Sequence, residues 1–401
     1  MKPIIRFRQY NKEWCPFKLN TILVPSNEKN TKGLYSKNDV LSVSGEAGIV
    51  NQIAFQGRSF AGASVLNYGV VNTNDIVYTK SPLRNNPYGI IKTNNGPSGI
   101  VSTLYAIYNC CEESCPQFVD TYFTSSSRTN NYLRPLVRKG AKNDMKVSSE
   151  GALQGNVIFP YKDEQIEIAS YFRILDAKLQ ASAKKLESLK KLKSASLVAM
   201  FPQNSESTPK VRFKGFEGEW DKQSASDLFL TIDERNRPEL PVLSACQDVR
   251  GMIPRDKIGF NISHDTSNEV TYKRVQPGQF VIHLRSFQGG FAHSSYDGII
   301  SPAYTVFDFK NKEQHDDYYW KIVFMSRSFI ERLRLITYGI RDGRSISFNE
   351  FKELSFLFPS KEEQQAIASF YRSLDRKIAL ETARLEKLKQ IKLACLDKMF
   401  V

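Results

Sequence analysis

Phe159-Pro160-Tyr161-Lys162-Asp163-Glu164-Gln165 returns about 200 residues downstream as Phe358-Pro359-Ser360-Lys361-Glu362-Glu363-Gln364. From there to Phe201 and Phe400 about half of the positions stay identical. Upstream, the run from Arg6-Phe7 to Glu13-Trp14 is echoed from Arg212-Phe213 to Glu219-Trp220. A unit written twice in one chain means one task performed at two places, and this duplication orders the rest of the reading.

Both repeated C-terminal segments carry a stripe with alternating spacings of three and four. The first is Phe172, Leu175, Leu179, Ser182, Leu186, Leu189, Lys193, Ser196, Met200; the second is Tyr371, Leu374, Ile378, Glu381, Leu385, Leu388, Lys392, Cys395, Met399. That spacing is the a/d seam of a coiled coil and predicts two long helices that pair through it. The apolar pairing residues are Phe172, Leu175, Leu179, Leu186 and Leu189 on the first helix, and Tyr371, Leu374, Ile378, Leu385 and Leu388 on the second. Both seams turn polar at the same two places, Ser182/Glu381 and Lys193/Lys392, as residues that fix a register do. Leu192 and Ile391, beside the seam, widen the apolar face to a third contact. Ser360 with Glu363 predicts a capping box at the second helix start; the first copy has Tyr161 at the cap.

Around these helices lie two regions of short β-type runs broken by Gly, Asn and Pro, including Val40 to Val43, Asp75 to Tyr78, Ile100 to Tyr108, Gln279 to Leu284 and Ile299 to Phe307. The expected fold class is α+β: two mixed α/β domains separated by two long antiparallel coiled-coil helices, a pseudo-two-fold repeat. The boundaries are a first globule at 1–158, a central helix at 159–201, a polar linker at 202–209, a second globule at 210–357 and a C-terminal helix at 358–401. The globules echo each other in Gly99-Ile100-Val101-Ser102-x-x-Tyr105 and Gly298-Ile299-Ile300-Ser301-x-x-Tyr304, and differ widely elsewhere.

The 401 residues suffice for several cores, and the net charge is +14. The segment 159–201 has eight basic and five acidic side chains and 358–401 has nine and six, so most of the excess lies in the globules. A polyanionic partner suits such an excess, because cations that neutralise phosphates release counterions. The start lacks a secretory apolar stretch and no run is long enough for a membrane span, so a cytoplasmic location without a membrane partner is expected. Six cysteines show no Cys-x-x-Cys pair and are expected as reduced thiols, with no metal.

The duplicated Phe-Pro-x-Lys-(Asp/Glu)-Glu-Gln helix start, the Leu-Glu-x-Leu-Lys segments at 186–190 and 385–389, the lead-ins ending at Trp14 and Trp220 and the Gly-x-(Val/Ile)-Ser-x-x-Tyr strands occur in one order, twice. In this layout the whole chain resembles the specificity subunit of type I restriction-modification systems. The resemblance implies two target-recognition domains, each reading half of a bipartite double-stranded DNA sequence, held apart by the paired helices. It further implies docking of two methyltransferase subunits and of restriction subunits, for adenine-N6 methylation or ATP-dependent cleavage. The chain itself would be non-catalytic and bind no cofactor; S-adenosylmethionine, ATP and Mg2+ are expected on the partner subunits.

Base readout uses Arg toward guanine and Asn or Gln toward adenine. The loop after the first β echo supplies Lys80, Ser81, Arg84, Asn85 and Asn86, followed by Lys92; its counterpart supplies His283, Arg285, Ser286, Gln288, His293 and Ser294. Matched places with different polar chemistry are what two half-site readers require. Arg128, Asn130, Arg235, Arg237 and Arg344 are further candidates for DNA contact, as positioning groups on phosphates. Lys193 and Lys392 read as register devices instead.

Enzyme readings lack support. Asn85-Asn86-Pro87-Tyr88 is similar to the Asn-Pro-Pro-Tyr motif of adenine-N6 methyltransferases, but its second residue is Asn and no Gly-rich turn for S-adenosylmethionine accompanies it. No Gly-x-x-x-x-Gly-Lys-(Ser/Thr) loop for ATP occurs. The alternatives kept open are a coiled-coil scaffold and a stand-alone DNA-binding protein without methyltransferase partners.

Overall fold

A computed structural model describes residues 1–83, 85–139, 145–203, 206–246, 251–257, 266–283, 290–336 and 346–401. The chain divides into two compact units, Met1–Ala183 with Ala383–Val401, and Lys184–Thr382. The helices used below are α1 Pro116–Tyr122, α2 Lys162–Ala199, α3 Asp317–Met325 and α4 Lys361–Lys398. Both units mix helix and sheet, and each takes part of α2 and part of α4.

In the first unit, Cys15–Lys18 pairs antiparallel with Asn156–Phe159. A four-stranded antiparallel sheet runs Leu23–Pro25, Ala106–Cys110, Ile76–Tyr78, Ile91–Thr93. Its core joins Trp14, Phe118, Tyr122, Phe159 and Phe172 to Phe400 from the end of α4. In the second unit the same plan recurs. Asp221–Ser224 pairs with Ser355–Phe358. The main sheet has six strands, in the order Phe229–Ile232, Thr305–Phe309, Phe280–Ile282, Phe291–Ser294, Gly251–Pro254, Leu243–Cys246. Its core joins Trp220, Tyr319, Trp320, Phe358 and Tyr371 to Phe201 from the end of α2. In each unit the lead-in tryptophan meets that helix-terminal phenylalanine edge-on, Trp14 with Phe400 and Trp220 with Phe201, a geometry that adds to the area buried.

The Phe-Pro element is the end of a strand, not the start of a helix: Phe159 and Phe358 close strands, and the helices begin at Lys162 and Lys361. Its acidic and amide residues then clamp the helix in place. Arg6 donates from Nε and Nη2 to both oxygens of Glu164, each at 2.7 Å. Gln165 accepts at 2.9 Å from Ser114 Oγ and from Cys115 N, and donates to Pro160 O. Gln364 accepts at 3.0 Å from Asp316 N and donates to Pro359 O. The glutamines therefore satisfy the N-terminal backbone of α1 and α3. The capping box at Ser360 is only half made. Ser360 Oγ accepts from Glu363 N at 3.5 Å, but the Glu363 carboxylate is drawn away by Arg212.

The long helices bury the stripe that the spacing predicts: Phe172, Leu175, Ser182, Leu186, Ser196 and Met200 on α2, and Tyr371, Leu374, Glu381, Cys395 and Met399 on α4 are buried, with Leu179, Leu189, Ile378, Leu385 and Leu388 half-buried. In the first unit Lys392 is ion-paired with Asp176, and in the second Lys193 with Asp375. Leu192 and Ile391 do not form a third contact within the chain, being 50% and 37% exposed.

The Gly-x-(Val/Ile)-Ser-x-x-Tyr element is strand, turn and strand in place of one long strand. Gly99–Val101 and Gly298–Ile300 end at Ser102 and Ser301, whose carbonyls accept from Tyr105 N and Tyr304 N. A Cβ on Gly99 would stand 2.5 Å from Asp39 O, and one on Gly298 would stand 2.5 Å from Pro241 O. Only glycine lets the strand approach the neighbouring backbone that closely.

Across the repeat, one polar pair is exchanged side for side. Asn109 Nδ2 donates to Asp75 Oδ1 at 2.8 Å; at the matching places Gln279 Nε2 donates to Asp308 Oδ2 at 3.0 Å. Acid and amide have swapped strands while the hydrogen bond between them is kept, as buried polar groups require.

Candidate nucleic-acid interface

The first candidate loop leaves the strand Ile76–Tyr78 and returns through Ile91–Thr93. Thr79 N donates to Ile90 O, and Leu83 and Asn86 exchange backbone hydrogen bonds, so the loop folds back on itself. Asn85 is exposed at its tip, with Ser81 and Asn86 half-buried. Lys80 is half-buried, its Nζ donating to Ser149 Oγ at 3.3 Å, and burial pulls its ammonium below the ordinary lysine range. Asn130, from the helix Ser126–Leu133, donates to Asn85 O at 3.0 Å and is thereby brought beside the loop tip. Lys80, Ser81, Asn85, Asn86 and Asn130 thus form one polar surface.

Lys92, expected beside the loop, and Arg128, expected on phosphate, sit elsewhere, and the structure corrects both readings. Lys92 belongs to a buried strand; its Nζ lies 3.6 Å from Asp120 and donates to Thr124 Oγ1 at 3.3 Å. Arg128 donates to Tyr122 O and Leu396 O and lies over the Tyr122 and Phe400 rings. Burial holds its guanidinium below the usual arginine range. Two of its five N–H groups are thus committed to backbone carbonyls, and its half-buried place over two rings turns it away from the loop.

In the second unit, Phe280–Ile282 and Phe291–Ser294 pair antiparallel, and His283 N donates to Gly290 O at 2.9 Å where they meet. His283, His293 and Ser294 are all buried, which again corrects the sequence reading. His293 Nε2 lies 2.6 Å from Asp317 Oδ2, and Ser294 Oγ donates to Tyr296 O at 2.7 Å. The remaining candidates of this loop, Arg285, Ser286 and Gln288, lie outside the described residues, as do Arg84 and Arg344. Arg235 and Arg237 are exposed and paired with Asp233 at 2.6 Å and with Glu234 at 3.1 Å. Such exposed pairs hold their arginines weakly, so a phosphate can displace the carboxylate.

Two exposed aromatic–cation pairs escaped the sequence reading. Arg58 lies 4.7 Å over the Phe60 ring in the first unit, with Phe60 58% exposed; Lys257 lies 5.1 Å over the Tyr296 ring in the second. An aromatic residue in a polar loop was the available signal. A ring beside a cation can stack on a sugar or base while the charge meets phosphate. Among the described residues, no group of three His, Cys, Asp or Glu side chains could hold a metal, and no helix is long and apolar enough to cross a membrane.

Residues 219–390 match the family model of the type I restriction modification DNA specificity domain. Over those residues the chain is similar to a type I specificity domain. The matched span runs from Glu219 through most of α4 and so covers the second copy of the repeated unit. The sequence has no match among curated proteins. In fold, the chain is similar to the crystal structure of the type I restriction-modification S subunit from M. genitalium: TM-score 0.60, 13% identity, 100% of this chain and 99% of that one covered. The HsdS subunit from Thermoanaerobacter tengcongensis aligns over 98% of both chains with 15% identity and a TM-score of 0.46. A chain from a type I restriction-modification complex aligns over 97% of this one, with 14% identity and a TM-score of 0.46. The polar loop surface around Asn85 and the aromatic–cation pairs are exposed groups whose chemistry suits a charged, planar ligand.

Proposed function

We propose that this chain is the DNA sequence-specificity subunit of a type I restriction-modification enzyme. Each unit reads one half of a split double-stranded target, and α2 and α4 pack antiparallel as the spacer between the readers. The observation that carries this reading is the duplication: the unit that matches the specificity-domain model in its second copy recurs in the first, with the same strand pairs and the same helix clamp. Shared frames with divergent loops suit two readers of different sequences.

On this reading Asn85, Asn86, Ser81, Lys80 and Asn130 contact the first half-site, with Arg84 from the same loop. Arg285, Ser286 and Gln288 serve the second, and Arg235, Arg237 and Arg344 meet phosphate. Methyltransferase subunits, which bring S-adenosylmethionine, dock on the helices, whose uncovered Leu192 and Ile391 offer apolar surface. Restriction subunits bring ATP and Mg2+. The setting is the cytoplasm, where the DNA is.

Co-expression with the neighbouring methyltransferase gene, followed by modification-sensitive sequencing of host DNA, tests the proposal. A split motif carrying N6-methyladenine on both strands, lost without this chain, supports it. A folded complex that leaves no new methylation overturns it in favour of a scaffold.

A further inference from the structure

Among the described residues, the second unit contains a polar relay that the first lacks. His293 lies on the strand Phe291–Ser294, which with Phe280–Ile282 bounds residues 284–289. Its ring is buried against Phe280 at 5.5 Å, and Nε2 meets Asp317 Oδ2 at 2.6 Å. Asp317 is the first residue of α3, and its other oxygen lies 3.6 Å from Arg372 Nη2 on α4. The Arg372 guanidinium stands 4.7 Å over the ring of Tyr318. Tyr318 donates its hydroxyl to Asp375 Oδ2 at 2.8 Å, and the other oxygen of Asp375 takes Lys193 of α2. Five contacts therefore run from a strand of the main sheet to both long helices.

At the matching places the first unit has Thr93, Pro116 and Gln117. Thr93 Oγ1 donates to Pro116 O at 2.8 Å, and Gln117 Nε2 donates to Asn74 Oδ1 at 2.7 Å. The helix pair Lys392–Asp176 is retained there, but neither Pro116 nor Gln117 can bring a carboxylate or a phenol to it. So the two units hold the same strand by different means, one by local ties to α1, including Thr93 N to Asp120 Oδ1 at 3.1 Å, and the other by a chain of contacts reaching the helices.

We propose that His293 is a positioning residue for DNA selection by the second unit: through Asp317, Arg372, Tyr318 and Asp375 it ties the strand pair Phe280–Ile282 and Phe291–Ser294 to the helices. The proposal rests on the specificity reading above. His293 is buried, so a shift of its strand breaks the bond its ring makes inside the unit, while toward the helices the set opens to solvent, with Arg372 50% exposed. Half-site choice by the second unit then depends on the relay, whereas choice by the first does not.

The test is selection of bound sequences from a random double-stranded DNA library by the complete complex with methyltransferase. Exchange of residues 1–158 for those of another specificity subunit identifies which half belongs to which unit. His293→Leu is expected to weaken base preference about tenfold in the second unit's half alone, the size of one good base contact. His293→Gln, which keeps a donor toward Asp317, restores most of it, and Tyr318→Phe, which cuts the relay without touching the strand, weakens the same half. Equal weakening of both halves, or unchanged preference in the His293→Leu and Tyr318→Phe complexes, overturns the relay. A wild-type complex that selects no split motif overturns the specificity reading itself, and the relay with it.

Discussion

Arg212 holds Glu363 by two hydrogen bonds, from Nε at 2.9 Å and from Nη2 at 2.6 Å, across 151 residues of sequence. The carboxylate is 2% exposed, and the guanidinium tops the second unit's lead-in while Glu363 sits in the first turn of α4. Arg6 and Glu164 repeat the arrangement across 158 residues. In both units the pairing ties the lead-in before a globule to the helix that follows it.

Removing one side of this pair strands a buried charge. Arg212→Ala and Arg6→Ala are each expected to destabilise their units by about 3–5 kcal/mol, whereas Glu363→Gln, which keeps an acceptor, costs less. Urea unfolding of single and paired substitutions measures this, and a double-mutant cycle should return coupling within each pair.

Close backbone approach makes the next test steric. Gly99→Ala and Gly298→Ala place a methyl 2.5 Å from a carbonyl oxygen, so each should lower stability by about 1–3 kcal/mol. Gly45→Ala, where nothing lies within 4 Å, should be nearly neutral. Thermal melting of the three variants separates the outcomes.

His315 gives a pH signature. Its ring is 8% exposed, stacked on Phe309 at 4.8 Å and edged by Trp320 and Phe358. Burial, reinforced by Lys361, lowers its pKa from 6.5 to about 4. Below pH 6.5 the unfolded chain takes up a proton that the folded unit refuses until about pH 4. Stability is therefore complete above pH 6.5 and falls as the pH drops, by at most about 3 kcal/mol. His315→Phe should flatten the stability profile between pH 6.5 and 5, where few carboxylates yet titrate; an unchanged slope would place its origin elsewhere.

Spacer length is open to direct change on the proposed reading. Because Lys193 pairs with Asp375 and Lys392 with Asp176, residues must be added to both helices to keep the pairs in register. Seven residues inserted between Leu179 and Leu186, and seven between Ile378 and Leu385, lengthen the helices by about 10 Å, or about three base pairs. The gap between half-sites in the methylated motif should grow accordingly. A gap of unchanged length would show that the helices do not set it.

Several features were legible in the sequence because they are local or periodic. The alternation of three and four from Phe172 to Met200 marks the face of α2 that is buried, since a helix repeats its surface at that interval. Lys193 and Lys392, breaking that stripe at matched places, pointed to register, and both reach an aspartate. The duplication was visible because two copies can be compared within one chain.

What only the tertiary structure decided is which polar residues face inward. Lys92, Arg128, His283, His293 and Ser294 look like loop chemistry in the linear sequence, but partners such as Asp120, Leu396 and Asp317 draw four of them into the interior, and strand pairing buries His283. The same holds for Glu164 and Glu363, which read as helix-start acids until Arg6 and Arg212 are found beside them. Spacing within a segment records a helix or a strand, because those repeat over a few residues. The contact that satisfies a buried charge joins segments far apart in the chain, and no local pattern records it.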